Sequence, residues 1–141
     1  MEVDRAYMKL QDMKDVATQK NMSPIIGGDW NAAAGSPSQG EEDTVGPYAR
    51  GLRNKRGATM VHWATEQQLL IVDTFFEHAP GDYWTYSRSA VRSKIDYFVV
   101  DKATLAMVGC ARASEAIGTG IDHRTIEITI EVGEKLFRHG D

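Results

Sequence analysis

The first twenty residues carry apolar side chains at steps of three and four positions. These are Val3, Ala6, Tyr7, Leu10, Met13, Val16 and Ala17. This spacing places apolar groups along one face of a helix, so it predicts an amphipathic α-helix over residues 1–20. Asn21 and Ser23-Pro24 supply the signal that ends the helix. The short β-branched run at 24–28 then predicts a buried strand, because it is too short for a helix and is bounded by chain breakers.

The rest of the chain divides into a loop, a second helix and a series of strands. Residues 32–53 are rich in Gly, Pro, Ser and charge, which predicts a long surface loop, and residues 58–68 predict a helix. Strands are predicted at 70–76, 83–87, 94–100, 107–113 and 125–132. The two-residue period in the strand at 94–100 places Ile95, Tyr97 and Val99 on one face and Asp96 and Phe98 on the other. Helices first and several strands afterwards indicate an α/β layered domain.

Composition narrows the class of protein without naming a function. The chain has 141 residues, 42% hydrophobic and 26% charged, which is typical of one soluble domain or part of a larger one. No run approaches the roughly 20 apolar residues that span a bilayer, and no secretory signal is visible. The single cysteine, Cys110, excludes an internal disulfide and a Cys-rich zinc site. We therefore expect no membrane partner and an intracellular location, in the nucleus or cytoplasm.

The net charge of the chain affects whether it can bind a negatively charged substrate such as nucleic acid. It has 16 Lys and Arg against 20 Asp and Glu, a formal charge of −4. A net negative chain gains little from counterion release on nucleic acid. A divalent metal can still invert the local field where carboxylates cluster, so a phosphodiester substrate remains open.

An acid and an amide follow the first predicted strand. In Gly27-Gly28-Asp29-Trp30-Asn31, the alternation of an extended chain places Asp29 and Asn31 on the same side. The acid can accept a proton from water, and the amide can hold that water or a substrate oxygen. The alternative is an Asx turn, in which the same residues serve only the backbone.

A second acid interrupts the apolar strand at 94–100. Burying the Asp96 carboxylate is costly unless it has a partner. His123 offers one, because a carboxylate on one ring nitrogen fixes the tautomer and leaves the other nitrogen to face a phosphate. Asp122 would then add a hard oxygen ligand for Mg²⁺. The alternative is that Asp122 and His123 form a polar turn that enters the last strand.

Taken in order, four short stretches resemble a known family. They are Gly27-Gly28-Asp29-Trp30-Asn31, Trp84-Thr85, Lys94-Ile95-Asp96-Tyr97 and Asp122-His123-Arg124. Over about residues 5–132 they are similar to the C-terminal half of the endonuclease/exonuclease/phosphatase superfamily domain, with the endonucleases of non-LTR retrotransposons as the closest group. The resemblance implies part of a DNase I-like α/β/β/α sandwich. It also implies hydrolysis of DNA or another phosphodiester with Mg²⁺ or Mn²⁺.

The resemblance also assigns roles to single residues. Asp29 matches the aspartate that orients or deprotonates the attacking water, and Asn31 the asparagine that holds water and phosphate. Asp96 matches the acid that orients the catalytic histidine, His123, and Asp122 the metal-associated acid before it. Two further positions would contact substrate. These are Asn54, which reads equally well as a helix N-cap, and Trp84, which can stack a base amid nearby cations.

The resemblance implies that the chain, residues 1–141, is a partial domain, the C-terminal half without the N-terminal half. The family's first half carries an asparagine and the glutamate that is the main metal ligand, and neither has a counterpart here. We therefore expect weak metal binding, with weak or no activity alone. An uncovered apolar face predicts either a homodimer or association with the missing N-terminal half. The alternative function is a non-catalytic retroelement-derived remnant that binds a partner.

Overall fold

The computed structural model describes residues 2–79, 81–114 and 122–132. Its elements in chain order are α1 (Glu2–Gln19), β1 (Ile25–Asp29), α2 (Lys55–Glu66), β2 (Leu69–Ile71), a 3₁₀ helix (Val72–Phe75), β3 (Tyr86–Arg88), β4 (Val91–Ser93), β5 (Asp96–Asp101), α3 (Lys102–Leu105), β6 (Val108–Ala113) and β7 (Ile126–Ile130). Helices combined with antiparallel sheets confirm the predicted α/β class. Within these residues, no helix has the length and apolarity needed to cross a membrane.

Strand β5 is the central strand of the largest sheet in the described part of the chain. It pairs antiparallel with β1 on one side and β2 on the other, which gives a three-stranded sheet in the order β1-β5-β2. Tyr97 and Val99 belong to one buried cluster with α2, and Val100 belongs to a second cluster with residues of β6 and β7. The two-residue period predicted for this strand is therefore confirmed. It places helices over one face of the sheet and the β6–β7 sheet over the other.

Strand β1 differs from its prediction as a buried strand. It lies at the edge of its sheet, and four of its five residues are exposed. The apolar run specifies a strand, but the sequence does not say how many neighbours that strand has. Gly27 is needed here because a Cβ at this position would lie 2.5 Å from the Phe98 ring.

The predicted strand at 70–76 is also corrected. Strand β2 ends at Ile71, where the Thr74 hydroxyl donates to the Ile71 carbonyl at 2.6 Å and the chain turns into the 3₁₀ helix. Helix α2 begins at Lys55 rather than 58, because the Asn54 side chain accepts a hydrogen bond from Gly57 N at 2.7 Å and caps it. Strand β4 and helix α3, of three and four residues, were not predicted.

Candidate active site

The register of β1 and β5 places two acids side by side. Asp29 and Asp96 are paired across the two strands, at the end of the sheet. Trp30 N continues the pairing by donating to the Ile95 carbonyl at 2.9 Å. The chain then turns at Asn31, whose φ is 50° and whose backbone N–H donates to Asp29 Oδ1 at 2.8 Å. The Asx turn foreseen as the alternative is therefore present, and it leaves the other Asp29 oxygen free to face His123.

His123 is positioned by a neighbouring segment of backbone. Residues 122–124 run antiparallel to the chain at 85–87, with Ser87 N donating to the Asp122 carbonyl and Arg124 N to the Thr85 carbonyl, both at 2.8 Å. The Tyr86 ring packs on the imidazole with 4.7 Å between ring centroids. Backbone pairing and this aromatic contact together fix the direction of the imidazole.

The imidazole lies between the two acids. His123 Nδ1 is 3.1 Å from Asp96 Oδ2, and Nε2 is 3.7 Å from Asp29 Oδ2. Asp96 is only 7% exposed, whereas Asp29 and His123 both reach solvent. The buried acid can therefore orient the ring through Nδ1, while Nε2 and the Asp29 carboxylate face the place where a substrate would lie.

Thr85 stabilises the position of Asp96 beside His123. It is fully buried, and its hydroxyl oxygen accepts from the backbone N–H groups of Ile95 and Asp96, at 3.0 and 3.2 Å. These bonds hold the start of β5, and so Asp96, against the segment that carries His123. The sequence contained Thr85 only as part of the Trp84-Thr85 motif, and no local pattern assigned it a role.

Asn54 caps a helix and also links it to the site. Its side-chain oxygen accepts from Gly57 N at 2.7 Å and from Ala33 N at 3.0 Å, so the N-cap interpretation is correct. Ala33 lies two residues after Asn31, and the cap therefore ties α2 to the turn that follows Asp29. Contact between Asn54 and substrate stays a prediction.

Two predicted site residues lie outside the cluster of acids and imidazole. The guanidinium carbons of Arg92 and Arg124 lie 4.6 and 4.7 Å from the centroid of the Trp84 ring, so two cations already occupy positions over that ring. The buried Arg124 also donates to the Trp84 and Ala113 carbonyls at 3.3 Å. Asp122 is exposed, and its carboxylate is not among the clustered ligand atoms.

The clustered atoms have the composition of a divalent-metal site with few ligands. Among the described residues, one group of acids and histidines can hold a metal ion, and it consists of Asp29, Asp96 and His123, with ligand atoms within 4.8 Å of one another. Mg²⁺ prefers six oxygen ligands and commonly keeps several waters. Two carboxylates, one of them engaged by His123, fit a loosely held cation that retains much of its water.

A second polar network surrounds Lys94, two residues before Asp96. The Lys94 ammonium contacts the Asp73 carboxylate and donates to the Tyr83 carbonyl at 3.0 Å, and His78 Nε2 lies 3.1 Å from Asp73. Burial lowers the pKa of Lys94, although Asp73 opposes that change. The Tyr97 hydroxyl donates to the Lys94 carbonyl at 2.8 Å, and burial raises the pKa of Tyr97. The sequence did not indicate this network, because Asp73 lay in a presumed strand.

An apolar groove adjoins the free edge of β1. It has a volume of about 300 Å³ and reaches from α1 to Asp29. Its apolar lining comprises Ala6, Tyr7, Leu10, Ile26 and Trp30. Asp29, Asn31 and Arg56 also line the groove. An unpaired strand edge beside an apolar groove is a surface on which another polypeptide segment can pair and pack.

The chain is similar in sequence to curated proteins and similar in fold to a solved structure. No family model matches the sequence. The chain is 28% identical over 127 residues to craniofacial development protein 2 of Bos taurus, and equally to that of Tragulus javanicus. These matches cover 89% of the chain but 21% and 22% of the relatives, so the chain spans about a fifth of their length.

A solved structure supplies the comparison of folds. The chain matches the endonuclease domain of TRAS1, a telomere-specific non-LTR retrotransposon, with a TM-score of 0.60 and 16% sequence identity. The match covers 94% of this chain and 53% of that one. The chain therefore has the fold of about half of a non-LTR retrotransposon endonuclease domain, which confirms at the level of fold the resemblance predicted from its sequence.

Proposed function

We propose that the chain is a metal-dependent phosphodiester hydrolase domain of the endonuclease kind, incomplete and weakly active by itself. The observation that carries the proposal is the position of the His123 imidazole, 3.1 Å from the buried Asp96 and 3.7 Å from the exposed Asp29. An oriented imidazole beside a solvent-facing acid can manage a proton and a developing negative charge, which phosphodiester hydrolysis requires.

Each residue of the cluster has a distinct role in this proposal. Asp96 fixes the ring of His123 through Nδ1, so that Nε2 can hold a proton against a phosphoryl oxygen. Asp29 accepts the proton of the attacking water, and the Asn31 amide holds that water or a phosphoryl oxygen. A divalent cation at this site, Mg²⁺ or Mn²⁺, would be held by Asp29 and would supply charge neutralisation at the phosphate.

The metal is expected to bind weakly. Among the described residues, the clustered ligand atoms come from only two carboxylates and one imidazole. The solved neighbour is about twice as long as the matched region, so a further ligand can come from a segment outside this match. Low metal occupancy would leave the chain with only part of the catalytic rate of a complete domain.

Nucleic acid is the substrate that the comparisons favour. The neighbour of similar fold is an endonuclease domain. Arg50, Lys55 and Arg56 are exposed on the loop and helix start beside Asn54, where they can contact backbone phosphates. The expected contribution is positional, because phosphate contacts orient a duplex without reading its sequence.

Nicking of supercoiled plasmid DNA tests this function, because a single cut per plasmid is visible. We expect slow conversion to the open-circular form in Mg²⁺ or Mn²⁺ at high protein concentration, and none when a chelator is added. The Asp29→Ala variant should lose the activity, and the Asp12→Ala variant, altered at an exposed acid on α1, should keep it. Intact plasmid at every metal concentration, or nicking that persists with chelator, would refute the proposal.

A second candidate function is that of a non-catalytic, partner-binding remnant. It is favoured by the free edge of β1 and the apolar groove beside it. A second copy of the chain, or the N-terminal half of the family domain, would pair with β1 and cover Ile26 and Trp30. The plasmid assay separates the two candidates, since a purely partner-binding chain leaves DNA intact with and without metal.

A further inference from the structure

The Leu52 side chain lies almost entirely in water. It is 93% exposed, more than any other large hydrophobic side chain in the described part of the chain. A single exposed apolar residue is ordinary on protein surfaces and needs no explanation by itself. Leu52 differs because the loop that carries it is held by hydrogen bonds and is linked through Asn54 to the turn that follows Asp29.

The loop around Leu52 is held by several bonds. The Arg53 guanidinium donates two hydrogen bonds to the Glu41 carboxylate, at 2.7 and 2.8 Å, and these bonds lower the pKa of Glu41. Ser36 N donates to the Gly51 carbonyl at 3.1 Å. A Cβ on Gly35 would lie 2.9 Å from the carbonyl carbon of Leu52, so the two backbones are in close contact. The loop therefore presents Leu52 to solvent in a defined position.

Hydrogen bonds connect the loop that carries Leu52 to the turn that follows Asp29. Asn54, two residues further on, binds Ala33 N through its side chain and the Ala33 carbonyl through its own N–H, at 3.0 and 3.3 Å. Ala33 in turn lies two residues after Asn31. The loop thus borders the turn on which Asp29 and Asn31 are held.

The charges around Leu52 indicate which partner it meets. The stretch Arg50-Gly51-Leu52-Arg53-Asn54-Lys55-Arg56 has four cations and no acid. Glu41 neutralises Arg53, whereas Arg50, Lys55 and Arg56 are exposed, with Arg50 donating one bond to the His78 carbonyl at 3.2 Å. An exposed apolar side chain on a held loop, flanked in sequence by exposed cations, combines a group that unstacks bases with groups that contact phosphates.

We propose that Leu52 is a wedge that inserts between base steps of a nucleic-acid duplex, while Arg50 and Arg56 contact the phosphates on either side. The proposal rests on the proposed function, in which the substrate is nucleic acid. It adds that the substrate is double-stranded and that the loop carrying Leu52 distorts it. Distortion of this kind brings more of the backbone within reach of the protein, which offsets the cost of unstacking.

Binding to a DNA duplex that carries a fluorescent purine analogue tests the wedge. Binding is measured by anisotropy at low salt with chelator present, so that no cleavage occurs, and unstacking appears as a rise in the emission of the analogue. We expect the wild-type chain to raise this emission, and Leu52→Ala to weaken binding about tenfold and to remove the rise. Leu52→Met, which keeps an apolar side chain of similar length, should retain both signals.

The matched control is Met13→Ala on α1. Met13 is 67% exposed, so this variant also removes exposed apolar surface, and both signals should be unchanged. Wild-type affinity and emission in Leu52→Ala would overturn the wedge, as would duplex binding by the wild-type chain with no rise in emission. The first result would instead fit a Leu52 that contacts a protein partner. Neither result bears on the plasmid assay, so the hydrolase proposal can survive the loss of the wedge.

Discussion

Replacing His123 with alanine is expected to reduce metal-dependent plasmid nicking by about 10²- to 10⁴-fold, the usual value of a positioned acid or base. The imidazole is the only group of the cluster that contacts both acids, since Nδ1 lies 3.1 Å from Asp96 and Nε2 3.7 Å from Asp29. Its removal leaves Asp96 buried without this partner and removes the group that, in the proposed function, faces the phosphate. The rate of open-circular plasmid formation measures the loss.

The control for this variant is another histidine outside the site. His62 is exposed on α2 and contacts Glu66 at 2.9 Å, so His62→Ala removes an imidazole without touching the cluster. Nicking should be unchanged in this control, and the unfolding midpoint of both variants establishes that they are folded. If a folded His123→Ala protein nicks plasmid at the wild-type rate, the assigned role of the imidazole is wrong.

Replacing Lys94 with methionine is expected to destabilise the fold by about 3–5 kcal/mol, because it leaves a buried carboxylate without its principal cation. The Lys94 and Asp73 side chains are only 11% and 13% exposed, and they contact each other directly. The free energy of unfolding, measured in urea by circular dichroism, reports the change. The loss should be larger than that of any exposed ion pair in the described part of the chain.

Two further variants test whether the loss of stability comes from breaking the buried Lys94–Asp73 pair. In Asp73→Asn combined with Lys94→Met, no charge remains at the pair, and much of the stability should return. Breaking the exposed Arg112–Glu127 pair with Arg112→Ala should cost less than about 1 kcal/mol. A Lys94→Met protein as stable as Arg112→Ala would contradict the assignment.

The sequence predicted the Asp96–His123 couple because a physical constraint acts locally. A carboxylate inside an apolar strand requires a partner, and His123, just before the last predicted strand, offered one. The alternation along β5 also determined which face each residue occupies, and the two buried clusters follow it. For β5, the alternation of residues along the strand was sufficient to predict which face each side chain occupies.

Other features depend on neighbours that a single sequence does not reveal. The run at 24–28 has the composition of a buried strand, yet among the described residues β1 has a strand partner on one side only. Asp73 resembled an ordinary strand residue until Thr74 turned the chain into a 3₁₀ helix. Trp84 was predicted to stack a base, which stays a prediction, and the sequence did not reveal that Arg92 and Arg124 lie over its ring. Each of these outcomes is set by a tertiary contact rather than by local propensity.

Binding of Mn²⁺ beside His123 is the most direct measurement of whether a metal held by Asp29 shares one site with Asp96 and His123. Titration of Mn²⁺ into the chain, followed by nuclear magnetic resonance of the histidine rings, should broaden the His123 signals well before those of His62. The Asp29→Ala variant should lose this preference, because it removes the exposed carboxylate 3.7 Å from Nε2. Equal broadening of both rings in the wild-type chain, or preferential broadening of His123 that survives Asp29→Ala, would contradict a shared site.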